Sequence, residues 1–350
     1  MEGYTREVKN QINSLVDQDG KFQFGTYNKP VKELNMLDAK KPLGFPFGKH
    51  FKNLRLKEWE AFQAGNQDVF MLGAVYNTKT SALNQLSIYD KKNNKLYNYR
   101  KYCIPWKQIL STSMYQSESK YISKDFMMII YNNLEEGKIN IIVKIRSKND
   151  LPNIKLEITA FHLTEPIVIC QPFDTNRGLY SHKALMNMEG ILYLGKEKIV
   201  FDKDTAFTII DDHKGYYPNN VKYDWVTGCI NNKDTGLIGF NLTDNQIKDH
   251  EKYNENCLWM NGNMQVLPPI KFKRSVKDDK EVWKIKDEYG MVNILFYPLA
   301  KLKLKFNYGI IYSDYEGPMG TFRGYIKDKN DNKIMLDKFF GMGEKKRYRV

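Results

Sequence analysis

Apolar side chains in this 350-residue chain fall at every second position over short runs, and turn-forming residues separate the runs. The alternation is cleanest in Ile139, Ile141, Val143 and Ile145, preceded by Glu136-Gly137, and in Ile154, Leu156, Ile158 and Ala160, preceded by Lys148-Asn-Asp-Leu-Pro-Asn153. Successive side chains of an extended strand point to opposite faces, so each run has one face to bury. Val69 to Tyr76 and Leu86 to Tyr89 read as hairpin strands, followed by the tract Lys91 to Lys95 with Asn93 and Asn94 as turn residues. The same period returns at Leu302, Leu304 and Phe306, and in Phe322 to Ile326, where Asp328 to Asp331 supply a hairpin turn before Ile334 and Leu336. Strands are thus predicted in both halves of the chain.

Helix has little support. The opening segment sets Asp17, Asp19 and Gly20 in a turn before Phe22 and Phe24, then brings Pro30, Pro42 and Pro46 with several glycines. The start of the chain and Asn241 to Asn256 are the best helical candidates. Regularly spaced short strands point instead to a sandwich or a barrel. A chain of this length exceeds the usual size of a single hydrophobic core, so two domains are expected. Cys170-Gln-Pro-Phe-Asp-Thr-Asn-Arg-Gly178 is dense in turn residues between two strand sets, which places the boundary near residue 172 and gives units 1–172 and 173–350.

Composition supports strands, with aromatics at 13% of the residues, among them 23 Tyr and 19 Phe. The formal charge of +13 invites an acidic partner, nucleic acid or a membrane surface. Its distribution reads otherwise: Lys301, Lys303 and Lys305 alternate with Leu302, Leu304 and Phe306, as on a solvated sheet face. No stacking motif or basic arm accompanies the charge, which argues against nucleic acid and leaves peripheral membrane contact open. Cys103, Cys170, Cys229 and Cys257 are far apart and form no CxxC, so no zinc site is expected. The first residues lack a signal-type apolar region and no run of 18 apolar residues occurs, so no transmembrane segment is expected and a cytoplasmic chain with reduced thiols is.

Three stretches carry a resemblance when taken in order: Val16-Asp-Gln-Asp-Gly20 with Phe24-Gly25; Asp211-Asp-His-Lys-Gly-Tyr-Tyr-Pro218 leading to Tyr223-Asp-Trp-Val-Thr-Gly228; and Gly341-Met-Gly-Glu-Lys-Lys-Arg347. Together they resemble the bacterial family of domain of unknown function 2804, over about Val16 to Arg349. That family looks like a branch of a wider group with paired lipocalin-like barrels, which includes carotenoid hydratases, AttH-like proteins, a yeast survival factor and lipocalin-like Diels-Alderases. The resemblance implies an all-β fold of two tandem lipocalin-like antiparallel β-barrels with few short helices. This chain departs from the pattern at Asp212-His213-Lys214, where an aromatic is expected, and at Tyr348 and Val350, which stand where a tryptophan is expected near the end.

The densest set of chemically useful side chains is Asp211, Asp212, His213, Tyr216, Tyr217, Tyr223, Asp224 and Trp225. In an extended strand Asp211 and Asp212 face opposite ways, so only one can face a barrel interior. Desolvation favours a neutral carboxyl group there, and such an acid could protonate a double bond or enolise a carbonyl. The same residues also read structurally, as an exposed Asp-Asp-His-Lys-Gly turn and an Asp224-Trp225 pair closing a barrel end. In the wider group, the resemblance implies that acidic and aromatic residues of this stretch face the ligand cavity, and Tyr223, Asp224 and Trp225 match that pattern. Asp211 or Asp224 is then the candidate acid, with Glu344 in reserve, although Gly343-Glu344 with Arg347 and Arg349 also reads as a cross-strand ion pair.

The candidate ligand-binding residues are Asp212, His213, Tyr216, Tyr217, Tyr223, Trp225 and Asn241, the last from a polar cluster of Asn241-Leu-Thr243 with Asn261-Gly262 that also reads as a turn. His50, His162, His182, His213 and His250 are dispersed, and no Gly-rich phosphate loop or GxSxG occurs, so neither a metal nor another cofactor is expected. The expected partner is a small hydrophobic, lipid- or isoprenoid-like molecule in a barrel or inter-barrel cavity. A cofactor-independent lyase, hydratase or isomerase working by acid catalysis is the alternative, and a lysine-rich scaffold for membranes or acidic polymers is a third reading.

Overall fold

A computed structural model describes residues 4–148, 150–309 and 311–349, so Met1, Gly3 and the Val350 compared above with a tryptophan lie outside the described residues. Strand accounts for 60% of the chain and helix for 4%, and the alternating runs form antiparallel ladders. Ile139, Ile141, Val143 and Ile145 share a face with Ile154, Leu156, Ile158 and Ala160 on the neighbouring strand, and all eight are buried in one cluster.

The strands make two large curled sheets, the tandem lipocalin-like arrangement. In the first, the main path begins Lys95–Cys103, Ala82–Asp90, Val69–Asn77, Lys57–Gly65, Phe207–Gly215 and Gly178–Leu194. It continues through Ile154–Phe161, Lys138–Ile145, Phe126–Asn133 and Ser117–Ile122 to Gln108–Ile109. Gln108 links the two ends of this path, its Nε2 donating to Asn84 Oδ1 at 2.9 Å and to Leu83 O at 3.3 Å. In the second sheet the path begins Asn263–Val266, Cys257–Met260, Gly236–Asp244, Asn220–Asn232 and Phe340–Arg349. It ends through Ile311–Lys327, Val292–Tyr308, Lys280–Asp287 and Ile270–Lys277. Lys271 Nζ reaches Asp244 Oδ1 at 3.2 Å across that seam.

Both interiors are filled with side chains, Phe62, Met128, Ile141 and Leu156 among them in the first barrel and Phe240, Trp283, Phe296 and Phe322 in the second. The amino-terminal segment packs Leu15, Val16, Phe22 and Met36 against Val168, Tyr180 and Tyr216, and its strand Gly25–Tyr27 pairs with Ile167–Pro172. Among the described residues, no helix is long and apolar enough to cross a membrane.

Two expectations need correction. The turn-rich stretch near residue 172 lies within the first sheet, between the hairpin partners Ile167–Pro172 and Gly178–Leu194; the chain passes from one sheet to the other at residues 216–219. A tight hairpin uses the same Pro, Asp, Asn and Gly chemistry as a linker, so composition does not separate the two. Nor is Asn241–Asn256 helical: Asn241 ends up inside strand Gly236–Asp244, where its ladder partners are Thr227 and Cys257. The α-helix that does form, Lys49–Arg55, was not anticipated.

The carboxy-terminal Gly-Met-Gly segment has a steric explanation. A Cβ on Gly341 would stand 2.0 Å from Thr227 O and 2.6 Å from Gly228 Cα, because the two strands and the bulk above them approach too closely for a side chain. We expect Gly341→Ala to lower unfolding stability by about 1–3 kcal/mol, the range for overpacking a tight interior, read as a fall in urea midpoint at unchanged slope.

Candidate ligand-binding site

The two barrels meet along strands that bury both faces. On Phe207–Gly215, Ile210 joins the first barrel's interior cluster while Phe207 and Ile209 pack against the second sheet. On Asn220–Asn232, Val226 joins the second interior while Trp225 and Cys229 face back. At one end of the interface Phe70, Tyr89, Phe207, Phe340 and Met342 fill the gap. At the other end the sheets leave a cavity of about 580 Å³, lined by both. Its wall includes Trp59, Leu72, Tyr76 and Tyr217 from one side and Tyr223, Trp225, Tyr315 and Tyr348 from the other.

A compact ionic cluster lines the cavity. Asp211 is the direct cross-strand partner of Lys183 and of Ala61, and the small Ala61 side chain leaves room beside the pair. Lys183 Nζ donates to Asp211 Oδ1 at 2.8 Å and stands 2.7 Å from His213 Nε2 and 3.3 Å from Glu255 Oε2. His213 Nε2 is 3.1 Å from Asp211 Oδ1 and 2.9 Å from Ser181 Oγ. Ser181 Oγ also donates to Glu255 Oε2 at 2.5 Å, and Thr243 Oγ1 donates to Glu255 Oε1 at 2.8 Å. Trp59, the ladder neighbour of His213, stacks on its ring at 4.6 Å and 12°.

Two carboxylates gather an ammonium and an imidazole, so each buried charge has an opposite charge or a polar group beside it, as a buried cluster requires. Burial works against each ion, but Lys183 and His213 outweigh it and hold Asp211 below the usual carboxylate range, and Lys183 does the same for Glu255. For His213, burial and the neighbouring Lys183 oppose protonation, while Asp211 and Glu255 prevail and raise its pKa.

A second polar group sits on the facing wall. Tyr223 OH donates to Glu344 Oε2 at 2.7 Å and Tyr315 OH to Glu344 Oε1 at 2.8 Å, and burial together with the Glu344 charge raises both phenols well above their usual pKa. Two residues on, Lys346 is the ladder partner of both Tyr223 and Tyr315. Its ammonium lies 4.9 Å from the Tyr76 ring, 5.0 Å from Tyr348 and 5.9 Å from Trp59.

Of the sequence-predicted candidates, Asp211, His213, Tyr217, Tyr223, Trp225 and Glu344 line the cavity, and the other four do not. Asp212 points into the first barrel directly opposite Glu60, with Lys214 Nζ at 3.7 Å. Burial and this like-charge neighbour push Glu60 up to about 7, and burial pushes Asp212 up to about 6. Tyr216 packs into the amino-terminal segment and donates to Met36 O at 3.2 Å. Asp224 points away from the cavity and pairs with Arg274 Nη2 at 2.6 Å. Asn241 is buried behind Trp225: it accepts from Trp225 Nε1 at 2.6 Å and donates to Glu255 O at 2.7 Å, so it positions the indole.

The ion pair expected of Glu344 is not formed either, since Arg347 and Arg349 lie three and five residues on and so on the opposite face of the strand. Glu255, Lys183, Trp59, Tyr315 and Lys346 were not anticipated. Lys183 carried a usable signal, since it shares its strand face with Leu179 and Leu185, where a lone cation demands a partner.

A family model described as "Domain of unknown function (DUF2804)" matches residues 5–350. Among solved structures the chain is similar to CghA with Sch210972, at 8% identity and TM-score 0.54, covering 97% of this chain and 97% of that one. It is also similar to kievitone hydratase from Nectria haematococca, at 12% identity and TM-score 0.49, covering 94% and 98%. A putative AttH from Nitrosomonas europaea aligns at 11% identity and TM-score 0.47, covering 84% and 92%. At these identities the likeness concerns the fold. No curated protein sequence matches the chain.

Two titrations follow from the buried groups. His213, raised in the folded state, contributes stability that is complete below pH ~6.5 and lost as pH rises through its folded pKa. In an NMR titration its ring should therefore protonate above ~6.5, and Asp211→Asn should move that pKa down. Glu60, raised from the 4.5 of a free glutamate to about 7, costs stability progressively between those values. Glu60→Gln should accordingly be more stable than the parent at pH 8, by on the order of 3 kcal/mol, and lose that advantage below pH ~4.5.

Proposed function

The chain belongs to the family described as domain of unknown function DUF2804, and from its cavity we propose that it binds one small, largely apolar molecule, lipid- or isoprenoid-like, between its two barrels. The observation that carries this reading is the 580 Å³ hollow at the inter-barrel face, whose wall carries many aromatic and aliphatic side chains, while each barrel interior holds a cluster of buried hydrophobic residues. Ligand sites are commonly concave, mostly apolar and of this size, with a few convergent polar groups that orient the guest. Trp225 offers a flat ring whose Nε1 is already committed to Asn241, so the indole is held in place before any ligand arrives.

Polar groups in the cavity differ in what they have left to offer. Within the Lys183, Asp211, His213 and Glu255 cluster the groups pair with one another through Nε2 of the imidazole, and the buried His213 Nδ1 has no hydrogen-bond partner among the described residues. Lys346, by contrast, lies near five aromatic rings and makes no hydrogen bond or ion pair among the described residues. Its three donors suit an acidic group on the guest. A structure of this fold, CghA, was solved with Sch210972.

A second reading has its own support: the Glu344 carboxylate, held by the phenols of Tyr223 and Tyr315, is a proton acceptor beside an apolar cavity. With Asp211 and His213 on the other wall, such groups suit a cofactor-independent hydration, elimination or isomerisation of the bound molecule.

Purified protein exposed to a lipophilic extract should retain a compound detectable by native mass spectrometry, and Ala61→Trp, which fills the cavity, should abolish retention. Against a fluorescent fatty acid, Lys346→Met should weaken binding by about tenfold or more, while affinity for its methyl ester stays near the parent value. Retention of the compound unaltered supports binding alone; conversion that stops in Glu344→Gln supports the second reading. A parent that retains nothing, or an Ala61→Trp variant that retains as much, would sink the proposal.

A further inference from the structure

Apolar side chains are left uncovered at the cavity mouth. The helix Lys49–Arg55 places Phe51 and Leu54 three residues apart, hence on one face. They are 45% and 53% exposed. Phe47, 38% exposed, extends that face by packing its ring 4.5 Å from Phe51, and Phe45 just before it is 69% exposed. The opposite face is fixed: Lys52 is buried and donates to Ala39 O at 2.9 Å and to Leu37 O, and Leu56 is buried next to the helix end. The helix is thus held with its aromatic side outward.

The strip leads directly into the cavity. Leu54 and Arg55 line its wall, and so does Tyr102, itself 58% exposed. Lys40 and Lys41 precede the apolar residues in sequence and Lys49 begins the helix that carries two of them, all three exposed, on a chain of net charge +13. Lys49 is paired with Asp38 at 3.0 Å, but no ion pair among the described residues engages Lys40, Lys41 or Arg55, whose Nη2 donates to the neutral Asn219 Oδ1 at 2.7 Å.

We propose that this rim docks on a lipid bilayer bearing anionic headgroups, with Phe45, Phe47, Phe51 and Leu54 entering the interface. Exposed aromatic residues on a short amphipathic segment flanked by lysine and arginine match the chemistry of such a surface: rings at the boundary of headgroup and acyl chain, cations at the phosphates. Solvent alone gives no reason to leave three contiguous apolar side chains uncovered. If the cavity holds an apolar guest, as proposed above, docking here lets that guest pass between bilayer and cavity without crossing water. The docking itself does not rest on that reading.

The full chain should be sedimented with phosphatidylcholine vesicles, with and without phosphatidylglycerol. We expect it to pellet with the anionic vesicles, much less with phosphatidylcholine alone, and to be released by high salt. Phe47→Ser with Phe51→Ser should lower partitioning by on the order of tenfold or more, and Lys40→Glu with Lys41→Glu should lower it several-fold on the anionic vesicles only. These residues are exposed, and an unchanged melting midpoint will show that the variants fold. Ala61→Trp, which blocks the cavity, should still pellet, so failure of the cavity reading leaves this result distinct. A parent that ignores anionic vesicles, or serine variants that pellet like the parent, would overturn the proposal. So would light scattering that shows a dimer which the serine variant abolishes, because the strip would then be covered by a second copy.

Discussion

The structure turns on strands that have no water-facing side. Where two curled sheets pack back to back, each shared strand buries one set of alternate side chains inside its own barrel and the other set against the partner sheet. Phe207–Gly215 is buried at every position and Lys57–Gly65 at all but one. An ionisable residue on such a strand cannot turn outward. Its charge must be met by another residue of the same face or suppressed by protonation.

Both outcomes occur on adjacent residues. Asp211 meets Lys183 across the ladder and stays ionised, whereas Asp212 meets Glu60 and both carboxyl groups are pushed up. One face therefore presents an ion-paired cluster to the inter-barrel cavity, and the other hides an acid-favouring pair within the first barrel. The cavity inherits a wall in which aromatic rings alternate with polar groups already paired to one another, which is what a binding site needs to orient a guest without reorganising. It also opens beside the exposed aromatic helix, whose Leu54 and Arg55 belong to the same cavity wall as Trp225.

Strand faces are strongly coupled to one another by this parity. Tyr223 and Trp225 point at the cavity, so Asp224 between them points away and finds Arg274 instead. Glu344, Lys346 and Tyr348 point at the cavity, so Gly341 and Gly343 point at the second barrel, where Trp283 lies 2.7 Å from the place a Gly343 Cβ would take. The carboxy-terminal segment thus serves two purposes at once, close packing on one side and ligand-facing chemistry on the other.

Sequence alone determined the strands and their inward positions, because burial of one face imposes a period of two that survives without any knowledge of partners: Ile139 to Ile145 and Ile154 to Ala160 were legible for that reason. It also determined that Asp211 and Asp212 face opposite ways, while the family resemblance grouped Tyr223, Asp224 and Trp225 together with the cavity. Parity also held the information to exclude Asp224 once Trp225 was chosen, and to separate Glu344 from Arg347. Only the tertiary structure decided which face was which, and that the hollow lies between the barrels. It alone joined Lys183 and His213 to Glu255, which is 74 residues from its hydrogen-bond partner Ser181, and set Lys346 among rings from four other strands. The physical reason is that period two is a local property of one strand, whereas charge pairing and cavity formation depend on which strands lie across from it, and turns such as Cys170–Gly178 look the same whether they end a domain or merely reverse a hairpin.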